Sequence, residues 1–180
     1  MEQYQESKLP EISKTLVSDI LSMVEVDQNA RKHWEETGES WGRDMDRNHT
    51  ERLKKIVSEI GWPTISRVGE EASRAAWLLV QHADHDRAFQ QNCLDLMKNE
   101  AEGEVNKQDI AFLEDRVRVG MSQPILYGTQ FFDDAEGKFG PRPIEDRDHL
   151  DERRAAMGLS PFEEYEEEML VLTKNIENKD

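Results

Sequence analysis

The chain is poor in cysteine, in basic residues and in long apolar runs, and each shortage excludes something. Cys93 is the only cysteine among 180 residues, so an internal disulfide and a cysteine-built metal cage are both ruled out. Its setting, QQNCLDLM, is that of a small hydrophobe on a helix and not of a nucleophile. There are 23 basic residues against 39 acidic ones, a formal net charge of −16. Nucleic acid is therefore not expected as a partner, because binding it depends on Lys and Arg displacing counterions. No apolar run approaches a membrane span, so no membrane partner is expected. The opening MEQYQESKLPEI has neither a basic nor an apolar signal region, which makes the cytoplasm the expected compartment. Without such a signal, the sequon at Asn48-His49-Thr50 reads as accidental. Glycine-rich phosphate loops and flavin fingerprints are missing too, which leaves kinase and redox chemistry without support.

What the chain does have is helical periodicity. Ile12, Leu16, Ile20, Met23 and Val24 recur at steps of three and four, predicting a helix from Glu11 to about His33. Glu35 to Asp46, with Gly38 and Gly42, reads as a loop that Trp34 and Trp41 pin to the core. Thr50 is read as the cap of a helix that carries Leu53, Ile56, Val57 and Ile60 and ends at Gly61, with Trp62-Pro63 as the exit turn. Further helices are expected at Lys107 to Val119, Asp146 to Met157 and Pro161 to Thr173, the last with Ser160 as its cap. Between them, PILYGTQFF, DDAEGK and FGPRPI spell strand, turn and a proline-weakened edge strand. NIENKD reads as a frayed end. The expected fold is mainly α, a compact bundle of about six helices around one buried helix, with one short β-hairpin. It is taken as a single domain over residues 1–180, with its ordered core at about 11–173.

The most informative segment is GEEASRAAWLLVQHADHD, Gly69 to Asp86. Ala75 to Val80 leaves it no broad wet face, so it should lie inside the fold. Its C-terminal end carries His82, Asp84, His85 and Asp86. If the helix runs through Asp86, His82, His85 and Asp86 share one face. Three readings compete. His82 can act as an acid or base oriented by Asp86 or by a carboxylate from another helix, because imidazole titrates near neutrality and a carboxylate fixes its tautomer. Alternatively His82 and His85 can share a divalent metal. Or both histidines simply favour a helix C-terminus. A second polar group joins Asp115 and Arg116 to Gln123, Tyr127 and Gln130 around the hairpin, where tyrosine and glutamine can orient a polar ligand and arginine can pair with a carboxylate. The competing reading makes Asp115 and Arg116 a surface pair and Tyr127 a packing residue. Arg142, Arg153 and Arg154 read as counterions to the acidic C-terminal third.

The blocks MVEVDQNAR (23–31), IGWPT (60–64), VGEEASRAAWLLVQHADHD (68–86), LYGTQ (126–130) and GPRPIEDRDHLDERRAAMGLSPFEEY (140–165) together resemble a bacterial family of domains of unknown function. The resemblance runs from about Met23 to Tyr165 and implies a compact soluble domain, with no activity or cofactor attached. Its QHAD and YGTQ blocks coincide with the two polar groups, and its DQNAR block adds Asp27, Gln28 and Arg31 as wall residues.

The functional expectation is a small enzyme with His82 as the proton-transfer group and His85 or Asp86 orienting it. Tyr127, Gln130, Arg116 and Asp84 would hold a polar small-molecule or peptide-like substrate. Hydrolysis, elimination and isomerisation all fit such a set. No cofactor is expected unless a divalent metal binds at His82 and His85. The rival expectation is an acidic binding protein that covers a basic partner, as an antidote does.

Overall fold

In the computed structural model, residues 11–40 and 44–177 are described, with side chains for 14–40 and 44–173. The fold is mainly α, with eight α-helices and one two-stranded antiparallel hairpin among the described residues. No helix among the described residues is long and apolar enough to cross a membrane. The chain divides into two compact units, residues 1–105 and 106–180.

The first unit is built around a short buried helix. Helix α1 (Glu11–Thr37) and helix α2 (Asp44–Ile60) are followed by the single turn α3 (Ile65–Val68), then α4 (Glu70–Gln81) and α5 (Arg87–Asn99). Helix α4 touches α1, α2, α3 and α5, and eight of its twelve residues are buried. Leu16 and Ile20 of α1, Leu53, Ile56 and Val57 of α2, and Phe89, Cys93, Leu94 and Met97 of α5 complete the core. Burial of this kind contributes roughly 1.5–3 kcal/mol for each large aliphatic or aromatic side chain. Trp62 is 1% exposed, the corner anchor that the GWP turn suggests. Burial pushes the Cys93 thiol up to about 12, as befits an inert core residue.

Three boundaries differ from expectation. Helix α2 begins at Asp44, six residues before Thr50, so Thr50 is no cap. Thr50 is instead buried in mid-helix, and its hydroxyl donates to the Asp46 carbonyl one turn back at 2.7 Å. Asp44 and Asp46 in the first turn complement the helix dipole there. Helix α1 runs to Thr37, and Trp34 is 51% exposed, so Trp34 does not pin the following segment; Trp41 and Gly42 lie outside the described residues. Most consequentially, α4 stops at Gln81, and His82 to Asp86 form a turn before α5.

The second unit holds α6 (Lys107–Gly120), the hairpin of β1 (Phe131–Asp133) and β2 (Phe139–Pro141), α7 (Leu150–Ala156) and α8 (Phe162–Glu177). A 3₁₀ turn, Arg147–His149, leads into α7. The hairpin register sets Phe131 opposite Pro141 and Asp133 opposite Phe139. Phe131 stacks on Phe139 at 5.5 Å and meets the Tyr165 ring of α8 edge-on at 5.8 Å. Asp151 Oδ1 accepts the Phe162 N–H at 2.7 Å, at the first residue of α8, where Ser160 was expected to cap.

Candidate functional site

The QHAD turn exists because its own side chains end one helix and start another. Gln90, buried in α5, sends its Nε2 back to the carbonyls of Val80 (3.0 Å) and Gln81 (3.3 Å) in the last turn of α4. The same amide donates to Asp84 Oδ1 at 3.1 Å. Asp86 is the N-cap of α5: its Oδ1 accepts the Phe89 N–H at 3.0 Å, while Oδ2 pairs with Lys54 Nζ at 2.5 Å. The Lys54 pair and that amide hold the Asp86 carboxyl below its usual range. Asp84 and Asp86 therefore shape the turn, and Asp86 does not orient His82. His85 is exposed on the turn, because the helix that would align it with His82 has already ended. No group of three or more metal-ligating side chains occurs among the described residues.

The carboxylate that meets His82 comes from another helix. His82 Nδ1 lies 3.0 Å from both oxygens of Asp27, fifty-five positions earlier on α1. The Asp27 side chain is 1% exposed and that of His82 18%. Asp27 continues the stripe of buried Leu16 and Ile20 and half-buried Met23, so the helix carries an acid in a register that its other members fill with apolar atoms. Arg31, one turn on, binds both Asp27 oxygens through Nε (3.1 Å each), and its terminal nitrogen reaches Asp27 Oδ1 at 2.9 Å and Asp46 Oδ1 of α2 at 2.8 Å. Gln28 Nε2 adds a contact to Asp27 Oδ2 at 2.8 Å.

Burial works to raise the Asp27 pKa. Hydrogen bonds from His82 and Arg31, with the charge of His82, outweigh it and hold the carboxyl well below the usual carboxylate range. Asp27 is thus an anion that can only accept, so His82 Nδ1 is the donor and carries hydrogen. In the neutral form of the ring that tautomer leaves the lone pair on Nε2.

His49 of α2 completes the group. Burial pushes its pKa down, with Arg31 and His82 acting the same way against the charges of Asp27 and Asp46, so its imidazole is neutral at neutral pH. Its Nδ1 is buried and has no hydrogen-bond partner among the described residues. Asp46 and His49 sit seven and four positions before Leu53 on the inward stripe of α2. The readable signal for both was a polar residue in an apolar register, which the sequon match at Asn48 obscured.

In the second unit the polar residues around the hairpin turn out to be a backbone clamp. Asp115 is fully buried, and its carboxylate accepts the N–H groups of Leu126 (2.7 Å), Tyr127 (3.0 and 3.2 Å) and Thr129 (2.9 Å) and the Thr129 hydroxyl (2.9 Å). Burial raises its pKa while these donors pull it down. The carbonyls of the same bend go to arginines: Leu126 O accepts from Arg153 at 2.9 Å and Tyr127 O from Arg154 at 2.5 Å. Arg154 is 1% exposed and also donates to Ser160 O at 2.7 Å. Arg154 is thus an internal tie and not a counterion, Arg153 ties the bend and also pairs with Asp146 at 3.8 Å, and Asp115 is no surface acid. Arg142 lies over the Phe132 ring at 4.1 Å. Tyr127, Gln130 and Arg116 are each half-buried in this unit, and burial raises the Tyr127 pKa. Gln123 is exposed.

The chain matches the model of DUF6624, a family of unknown function, over residues 14–173, and it belongs to that family. No curated protein and no solved structure matches it.

Proposed function

Membership of a family without an assigned activity leaves the chemistry to the site, and we propose that this protein is an acid–base enzyme acting on a polar small-molecule or peptide-like substrate. The observation that carries the reading is one hydrogen bond: a partly exposed imidazole, His82, donating Nδ1–H to a fully buried carboxylate, Asp27. A buried acid behind an accessible imidazole is the arrangement that makes histidine a general base. Asp27 selects the tautomer with its lone pair on Nε2 and stabilises the imidazolium once a substrate proton arrives there. Arg31 keeps the carboxylate ionised and ties α1 to α2 through Asp46, so the base is held on three elements of one unit. His49, neutral beside it, is a second group able to donate or accept a proton. Removing a proton next to a carbonyl, activating water and shifting a double bond all use such a pair.

The test is a panel of esters, amides, phosphoesters and elimination-prone acids offered to the parent protein, His82→Gln and Asp27→Asn. Turnover in the parent that falls by about 10²–10⁴-fold in His82→Gln is expected. Turnover that survives His82→Gln intact overturns the reading. A parent that turns over nothing, yet captures a basic protein equally well with or without His82, supports the acidic binding protein in its place.

A further inference from the structure

The second unit carries a cavity of about 510 Å³ with which the histidine site has nothing to do. Its apolar lining is Phe132, Phe139, Pro141 and Leu170, and its charged lining is Lys138, Arg147, Asp134 and Glu166. From these residues we infer that it binds a small monoanionic organic acid with an aromatic or branched aliphatic body.

The rings are set in place without a ligand. Phe139 stacks on Phe131 with 22° between the planes, and Phe132 lies under the Arg142 guanidinium at 4.1 Å. Fixed aromatic walls lower the ordering cost that a guest would otherwise meet. The rim is open beside Gly140, where a Cβ would meet no atom within 4 Å. A volume of several hundred Å³ suits a small organic molecule.

The charges choose its sign. In a chain of net charge −16, two cations and two acids line one cavity, so the acidic surface is locally cancelled. Asp134 is already committed: its Oδ1 accepts the N–H groups of Glu136 at 3.0 Å and Lys138 at 2.8 Å, which closes the hairpin turn. Neither the Lys138 ammonium nor the Arg147 guanidinium has an acceptor within hydrogen-bond or ion-pair distance among the described residues; Arg147 only faces the Phe162 ring at 5.3 Å. Two cations outside ion-pair distance of any described acid, beside apolar rings, favour a carboxylate on an apolar body. Glu166 on the same wall disfavours phosphates and dicarboxylates, which limits the guest to one negative charge.

The experiment titrates 3-phenylpropionate into the full chain and follows the amide and side-chain NMR signals of Phe132, Phe139 and Leu170. Saturable shifts at those residues are expected, with a Kd of roughly 10 µM to 1 mM. Phenethylamine, the same body with the opposite charge, is expected to leave them unmoved. The Lys138→Gln/Arg147→Gln variant alters two exposed side chains and should melt like the parent while binding about tenfold more weakly. Absence of saturation, equal binding of the amine, or unchanged affinity in the double variant each overturns the proposal.

Discussion

At the scale of single residues, Asp27 is the charge on which the first unit is most exposed to failure. Its carboxylate is buried and surrounded by donors from Gln28, Arg31 and His82. Asp27→Asn keeps the shape and removes the charge, leaving Arg31 against a neutral amide. Breaking one partner of a buried ion pair costs about 3 kcal/mol, and that loss is expected in urea unfolding at pH 7. The pH dependence follows from the direction of the shift. The folded-state pKa lies below the ordinary 3.8, so the stabilisation is fully present above about pH 4 and is lost as pH falls through the lower folded value. The gap between parent and Asp27→Asn should therefore narrow under acid; a constant gap from neutrality down to pH 3 would show that the carboxylate is not held ionised. The sequence showed Asp27 and Arg31 one turn apart but not which was buried. Helical spacing treats both sides of a helix alike until a core is known. His82 was legible because an unusually apolar helix delivers it. The family resemblance put Asp27 among the wall residues, but its pairing with His82 was not legible, because a contact across fifty-five positions leaves no local trace.

At the scale of elements, long periodic helices were readable and their ends were not. Helix α6 fell where apolar spacing put it and the hairpin turn where turn chemistry did, but of PILYGTQFF only Phe131 and Phe132 are strand. The end of α4 did not, because what stops it is Gln90, a side chain in the next helix that takes up its last carbonyls. The YGTQ bend follows the same logic. Asp115 takes up the N–H groups of Leu126, Tyr127 and Thr129. Arg153 and Arg154 take up the carbonyls of Leu126 and Tyr127, and the Arg142 N–H takes up that of Gln130. The geometry of the bend also requires Gly128, at φ +69°, where a Cβ would stand 2.6 Å from Phe162 Cε2. Asp115→Asn offers one acceptor oxygen where several backbone donors converge, and it should cost about 3 kcal/mol by stranding buried N–H groups. Gly128→Ala should destabilise by at least ~2 kcal/mol through the backbone conformation and the displaced Phe162 ring together. Thermal unfolding with unchanged helix content at low temperature would check both. A Gly128→Ala protein as stable as the parent would mean that the bend can relax away from Phe162.

At the scale of the whole molecule, the net charge of −16 sets a term that no single contact controls. The acids are concentrated where they repel one another, as in the Glu163, Glu164 and Glu166 to Glu168 run at the start of α8. Salt acts on this term and on the ion pairs in opposite directions. Exposed pairs such as Arg118 with Glu145 (2.7 Å) lose strength when screened, but each is worth less than about 1 kcal/mol. The Asp27 group is buried and feels added salt little. Long-range repulsion among 39 acids is screened over about 10 Å at 0.1 M salt, so relief of repulsion wins. Raising sodium chloride from about 0.01 to 0.3 M should lift the melting temperature by roughly 3 °C or more, with most of the gain below 0.1 M. Asp27→Asn should show a gain of the same size, because the variant leaves the surface charge almost unchanged. A fall in melting temperature with salt would mean that surface pairs, not repulsion, dominate the electrostatics of this fold. This global term was the one most directly readable from the chain, since it needs only a count of residues. The chemistry at His82 and in the Phe132 cavity needed coordinates, because there the deciding charges are the few that the fold has set apart from that count.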